Sequence, residues 1–411
     1  MSPDTGTERT APLSLILCGG GITGAMYEFG ALQALNHFFS GPYSVNDFDI
    51  YVGTSAGATV AALMANGVSP GDVGRAIIHN TSSPLNFKQE DIISINWAEM
   101  RASLFKAVRM IPALFRFYRR NPKLFSLARL LYALEENLPA GLYSLAKYRA
   151  YLRELLTQPG CVNSFDGLSR ELYISAVQLD NGERVLFGTP GWRDVPISEA
   201  IAASSALPLY FQPLEIKGLD FVDGGVGAVA HADVPIDRGS HFLVVINPIL
   251  PIRNEEGVVC IPTFSGHCAR IREKGITFVV DQTQRVAARV KLGLGLERIR
   301  AQHPEARVFL IEPPPSDSIL FLENILNYGS RVAILNYGYR STARLLRARF
   351  ETYRQAFAAY GIPVSLEGLK EDNPWEPPTP LAVPPVPTVD AAGESAAAAG
   401  PPPDQAADTA A

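Results

Sequence analysis

Hydrophobic positions in this chain come either in short solid runs or at helical spacing, with glycine clusters at the joints. Leu13-Ser14-Leu15-Ile16-Leu17-Cys18 has the length and apolar density of a buried strand. It runs into Gly19-Gly20-Gly21-Ile22-Thr23-Gly24, and Ala25 to Phe38 then places Met26, Phe29, Leu32 and Leu35 at helical intervals. A second unit of this kind follows: a strand Asp49-Ile50-Tyr51-Val52, a tight turn Gly53-Thr54-Ser55-Ala56-Gly57, and a small-residue helix from Ala58 to Ala65. Strand, glycine turn and helix in alternation predict an α/β fold in layers with a mostly parallel central sheet. Later strands are predicted at Glu171–Gln178, Arg184–Phe187 (across a hairpin turn at Asp180-Asn181-Gly182), Leu219–Val222, Phe242–Ile246 and Arg307–Ile311. Helices are expected at Ile197–Ala206 and, as one long closing helix, at Arg331–Tyr360.

Two regions break this rhythm. Met100 to Leu134 holds eight bases and no acid, within a basic helical insertion placed at about 88–150. On a helical wheel Lys106, Arg109, Arg116, Arg119 and Arg120 fall to one side, and Leu104, Val108, Ile111, Phe115 and Tyr118 near the other. Pro112 should kink or split this helix. The pattern suits contact with an anionic membrane surface through Arg109, Arg116, Arg119 and Arg120. It equally suits a surface helix packed on the core with a solvated basic face. From Asn373 to Ala411 there are five acids, no base and ten prolines, which reads as a disordered tail. Residues 1–12 read as a flexible N-terminus, leaving 13–372 as the folded domain.

Composition narrows the functional classes. The chain has 411 residues, 47% of them hydrophobic and 19% charged, enough for a sizeable core. Its net charge of −5 is carried entirely by the tail and gives no bulk attraction for nucleic acid. No apolar run is long enough to span a membrane, and no signal peptide is visible, so a cytoplasmic protein, at most peripheral to a membrane, is expected. The four cysteines (Cys18, Cys161, Cys260, Cys268) have neither disulfide-framework nor paired zinc spacing; Cys260, Cys268 and His267 lack a fourth metal ligand.

Three short motifs carry chemistry. Gly53-Thr54-Ser55-Ala56-Gly57 is a G-x-S-x-G between strand and helix, where a sharp turn lifts the Ser55 hydroxyl out of the chain and the helix N-terminus favours developing negative charge. Gly19 to Gly24 exposes backbone N–H groups that could cradle a phosphate or an oxyanion. Read as G-x-G-x-x-G it could suggest a dinucleotide fold, but a serine turn stands where that fold needs an acidic residue. Asp223-Gly224-Gly225 can aim a carboxylate at a neighbouring loop. A serine nucleophile needs a base, and the six histidines leave a His triad open.

In this order, and with Ala202-Ala203-Ser204-Ser205-Ala206-Leu207-Pro208-Leu209-Tyr210-Phe211 leading towards the Asp motif, the three motifs resemble the patatin-like phospholipase family over about Leu13 to Pro235. The resemblance implies a patatin-like three-layer fold and a Ser–Asp dyad: Ser55 as nucleophile and Asp223 as general base. It implies an oxyanion loop of Gly19, Gly20, Gly21 and Gly24, with Gly53, Gly57, Gly224 and Gly225 supporting the turns. No metal or organic cofactor is implied. The implied activity is hydrolysis of fatty-acyl esters of phospholipids, of phospholipase A or lysophospholipase type. The alternatives are an esterase or acyltransferase on soluble or neutral-lipid esters, and a catalytically silent lipid-binding scaffold. Two departures stand out. Thr23 takes the place where many relatives carry Arg or Lys, and Val226 to Val234, with His231 and Asp233, intervenes before Pro235.

Overall fold

The computed structural model describes residues 11–121, 137–253, 268–315 and 326–371, with isolated positions 126, 132, 135, 261, 320, 374 and 375 besides. The first half comprises β1 (Leu13–Leu17), α1 (Gly21–Phe38), β2 (Ile50–Thr54), α2 (Ala56–Ala65), α3 (Pro70–Ile78), α4 (Gln89–Ile92), β3 (Ser94–Ile95), α5 (Trp97–Arg120), β4 (Gly141–Ser144), α6 (Ala146–Leu156) and β5 (Glu171–Gln178). There follow β6 (Arg184–Phe187), α7 (Ile197–Ser204), β7 (Leu209–Phe211), β8 (Leu214–Ile216), β9 (Leu219–Asp223), α8 (Asp233–Asp237), β10 (Phe242–Ile246), α9 (Ile276–Gln302), β11 (Arg307–Ile311), α10 (Arg331–Ala348) and α11 (Phe350–Ala358).

The main sheet runs β11-β10-β1-β2-β5-β9-β8, with β6 paired to β5. Its first five strands are parallel; β6, β9 and β8 join antiparallel. Side chains alternate across a strand, and β1 shows the consequence. Leu13, Leu15 and Leu17 enter one core with α1, α2, α10 and α11. Ile16 and Cys18 enter a second core with α8 and α9. Both faces are covered, so the strands are solidly apolar, and the fold is the predicted α/β layering with a mostly parallel central sheet.

Several expectations need correction. The closing helix is two helices, α10 and α11, broken at Arg349 (φ −120°, ψ 27°). No breaker residue marks the spot; the bend turns Phe350, Tyr353 and Phe357 edge-on to Phe38, which burial rewards. Pro112 does not split α5, which runs through it. There the helix surface is largely exposed, so water can satisfy the carbonyl that loses its partner. The insertion ends sooner than 150: β3 and β4 close it as an antiparallel pair, and Tyr148, Leu152 and Leu155 of α6 already belong to the core. β4 also pairs with β7, forming a small second sheet. Finally, the packed chain reaches Trp375. This ring is 3% exposed and donates to Asn336 Oδ1 at 2.8 Å. The remaining tail, 376–411, and residues 1–10 lie outside the described residues.

Among the described residues no helix is long and apolar enough to cross a membrane. Cys18 and Cys161 are free. Cys268 is disulfide-bonded, a pairing that the irregular cysteine spacing did not disclose.

Candidate active site

β2 ends at Thr54 and α2 begins at Ala56, so Ser55 alone makes the turn between them. It does so at φ 55°, ψ −133°, a conformation that costs a non-glycine residue about 1–3 kcal/mol and persists only where the surroundings enforce it. They do. The Ser55 N–H donates to Ser204 Oγ at 2.8 Å. A Cβ on Gly57 would stand 2.5 Å from the Leu17 carbonyl oxygen and 2.7 Å from the Gly19 nitrogen. Glycine there lets α2 rest directly on the end of β1, fastening the serine turn to the glycine loop. Gly53 lies within β2, facing the same turn.

Strand register brings in Asp223. β5 pairs with β2 along its first half and with β9 along its second. Thr54 is opposite Ser175, and Asp223 is opposite Ala176. β6 occupies the other edge of β5 across both stretches. The ends of β2 and β9 therefore meet at consecutive residues of one strand edge. Asp223 is 3% exposed, and its Oδ1 accepts the Gly225 N–H at 2.8 Å. Burial pushes its pKa up to about 6, held from rising further by the Ser55 hydroxyl and the Gly225 N–H. Gly224 and Gly225 open the turn that follows β9.

The glycine loop differs in part from expectation. Gly19, Gly20 and Gly21 have φ of 78°, 110° and 67°, which three side-chain-bearing residues would not adopt in succession. The first helical bond of α1 runs from the Gly24 N–H to the Gly20 carbonyl at 3.0 Å. Gly24 thus has no donor to offer an oxyanion. Nor has Gly19, whose N–H donates to Glu28 Oε1 at 2.7 Å. The amides of Gly20 and Gly21 precede the helical ladder, and both residues line the cavity beside Ser55. Glu28 is completely buried on α1. Burial raises its carboxyl pKa well above the usual range, against the pull of the Gly19 and Cys18 N–H groups. Sequence reasoning missed Glu28; its signal was a lone carboxylate in an apolar helix shortly after the glycine loop. It also missed Ser204, although the segment around it had been singled out.

Two cavities meet at Ser55, of about 270 Å³ and about 90 Å³. No described histidine lines either. His231 is buried and faces Arg184 (Nδ1 to Nη1 3.2 Å); burial and then that guanidinium lower its pKa to about 4. His241 precedes β10 and His303 precedes β11, both beside Glu305. With β10, β1 and β2 parallel, that is the opposite end of the sheet from Ser55. The geometry therefore places Ser55 next to a buried carboxylate, with Gly20 and Gly21 lining the cavity beside it. Thr23 is buried and uncharged. Among the described residues no group of three or more His, Cys, Asp and Glu is placed to hold a metal ion; Cys260 and His267 lie outside them. Arg109, Arg116, Arg119 and Arg120 are all exposed on α5, with Arg109 over the Phe105 ring at 5.1 Å.

A family profile described as Patatin-like phospholipase matches residues 15–237, more than half of the chain. A cGAMP-activated phospholipase of Escherichia coli (strain TW11681) is 26% identical over 242 residues, 56% of this chain and 56% of that protein. The match thus spans little more than half of that relative. Two solved structures are also similar. VipD from Legionella pneumophila is 15% identical, with 82% of this chain and 67% of that chain covered and a TM-score of 0.33. Full-length ExoU of Pseudomonas aeruginosa, in complex with SpcU, is 18% identical, with 83% of this chain and 53% of that chain covered and a TM-score of 0.33.

Proposed function

The chain belongs to the patatin-like phospholipase family, and on that premise we propose that it is a serine lipid acyl hydrolase, cleaving fatty-acyl esters of phospholipids as a phospholipase A or lysophospholipase. The observation that carries this reading is the β5 register, which brings Ser55 next to buried Asp223, with no histidine among the described residues lining either cavity there. Ser55 Oγ attacks the ester carbonyl carbon while Asp223 takes its proton. The carbonyl oxygen, now an anion, is met by the Gly20 and Gly21 N–H groups. Collapse expels the alcohol, which leaves with the proton held by Asp223, and an acyl ester remains on Ser55. Water attacks that ester while Asp223 takes its proton; the bond to Ser55 then breaks, Asp223 returns the proton to Ser55 Oγ, and the fatty acid departs. One oxyanion donor contributes about 2.7–4 kcal/mol to such a barrier.

We further propose that α5 docks on an anionic membrane. Its apolar side is uncovered: Leu104, Ile111 and Phe115 are 67%, 60% and 68% exposed, next to the four arginines. Apolar insertion combined with basic attraction is the physics of an interfacial helix. The strands that close the α5 insertion lead to β7, whose Phe211 lines the smaller cavity at Ser55.

The test is fatty-acid release from mixed phospholipid vesicles by wild type and by Ser55→Ala. Release by wild type that vanishes in the mutant is expected. Equal release by both sinks the reading; release by neither, with a soluble short-chain ester still cleaved through Ser55, transfers it to the esterase alternative.

A further inference from the structure

The two cavities at Ser55 differ in kind. The smaller runs between α1 and α2, and its walls repeat at helical spacing from the serine end. Ser55 stands at the start of α2, Thr59 and Leu63 contribute from α2, and Met26 and Phe29 from α1. From Ser55 to Leu63 that is about 12 Å of groove, at about 1.5 Å per residue. No charged side chain lines it. Two of its few polar atoms satisfy each other, Thr59 Oγ1 and Tyr148 Oη at 2.7 Å. Such a wall favours a hydrocarbon chain by about fourfold per buried methylene.

The larger cavity lies on the other side of the glycine loop, walled by α9 through Asp281, Gln284, Arg285, Ala288 and Lys291. Arg285 is committed: its Nε bonds Asp281 Oδ2 at 2.8 Å, and its Nη1 donates to the Leu250 carbonyl at 3.3 Å. Lys291 is different. No carboxylate among the described residues is within ion-pair distance of it. Its Nζ donates to the Val226 carbonyl, in the turn that follows Asp223. An ammonium has three donors, of which Val226 takes one. Lys291, with no carboxylate to pair it among the described residues, therefore lines this cavity beside the Asp223 turn.

We propose that the two cavities divide the substrate at Ser55, the fatty-acyl chain entering the groove between α1 and α2 and a phosphate-bearing head group lying against Lys291. This rests on the hydrolase reading above and adds the substrate's orientation. Scission at Ser55 then leaves the acyl chain in the apolar groove and frees the phosphate-bearing alcohol on the open side.

The experiment compares kcat/KM ratios in wild type, Leu63→Phe, Leu63→Ala, Lys291→Gln and Lys291→Arg. One ratio is lauroyl over butyryl p-nitrophenyl ester. The other is a phospholipid over the diacylglycerol of the same acyl chains, both in neutral detergent micelles. Leu63→Phe should lower the first ratio by roughly tenfold and Leu63→Ala should raise it, since pocket volume discriminates methylenes at about this level. Lys291→Gln should lower the second ratio by about tenfold, and Lys291→Arg should hold it within about twofold, a charge-assisted contact being kept. If Leu63→Phe loses even butyryl turnover and so fails to fold, Leu63→Ala carries the length test. Wild-type ratios in the folded variants overturn the partition. Failure of the hydrolase reading itself looks different: wild type and Ser55→Ala are then alike on every ester.

Discussion

Helices α1 and α5 are both long, and they sit at opposite extremes of burial. Fourteen of the eighteen residues of α1 are buried, against one of twenty-four in α5, Ser103. α1 is apolar nearly all round, begins in a glycine loop with no side-chain cap, and is held by what surrounds it. α5 has a capped start, Asn96 Oδ1 accepting the Glu99 N–H at 3.3 Å, and clearly separated basic and apolar sides. Its stripe pattern is what a packed surface helix would show, yet nothing among the described residues covers its apolar side. On the proposed mechanism the buried helix presents backbone amides to the reaction, and the exposed one presents side chains to the solvent. Amphipathic patterning thus tells which face is apolar but not whether the protein itself covers it.

That division makes predictions, and the largest concerns the buried side. Asp223→Asn should lower kcat for ester hydrolysis by about 10³-fold or more, the upper range for loss of a general base, with circular dichroism unchanged. Activity within about tenfold of wild type would remove Asp223 as the base. On the exposed side, neutralising Arg109, Arg116, Arg119 and Arg120 together should weaken binding to anionic vesicles by about 10²-fold, measured by sedimentation, because each base near an anionic surface adds attraction. Hydrolysis of a soluble ester should keep its rate. Unaltered vesicle binding would leave the open face of α5 without a membrane role.

Glu28 sharpens the buried side further. Glu28→Leu removes the acceptor of the Gly19 N–H and should lower kcat by about 10²-fold, the size of one lost oxyanion donor. Glu28→Gln keeps an acceptor and should restore most of that rate. If Gln and Leu behave alike, the carboxyl does not position the loop. Trp375 tests how far the buried region extends. The adjoining Pro374 carbonyl accepts from Gln33 of α1 at 3.0 Å, so ending the chain after Asp372 should lower the melting temperature, on the scale of about 3–5 kcal/mol for a buried tryptophan. Ending it after Trp375 should not.

The smallest effect is graded by pH. Asp223 must be ionised to act as a base and its pKa is raised to about 6, so kcat/KM should fall about tenfold per pH unit on the acid side of that value. The same shift has a stability sign. A carboxyl whose folded pKa lies above its unfolded value destabilises the fold at pH above the folded pKa, and this penalty disappears below the unfolded one. Asp223→Asn should therefore melt higher than wild type at pH 8, with the gain shrinking towards pH 4. A gain that is independent of pH would mean that the buried charge is not its source.

Much of this was readable in the residues. Solid apolar runs marked the parallel strands because both faces of the sheet are covered. The glycine clusters marked the turns, since only glycine fits where α2 rests on the end of β1. Ser55 and Asp223 were legible from their motifs. The donors were legible only as a loop: that Gly19 and Gly24 have spent their N–H groups depends on where Glu28 and the first helical turn fall. The break at Arg349 carried no local signal, because an aromatic cluster with Phe38 decides it. The end of the packed chain was misplaced because proline density hid Trp375, one large ring among breakers.

By itself, then, the sequence determined the element types, their alternation and the candidate reacting groups, because strand runs, helical spacing and glycine turns are local properties of the backbone. The tertiary structure alone decided that Ser55 and Asp223 meet, since that follows from the register of two distant strands on one edge of β5. It also decided that Gly19 and Gly24 spend their N–H groups, that Lys291 meets no carboxylate at ion-pair distance among the described residues, and that none of these covers the apolar face of α5. Each of these is a matter of what lies opposite, and that depends on segments far apart in the chain.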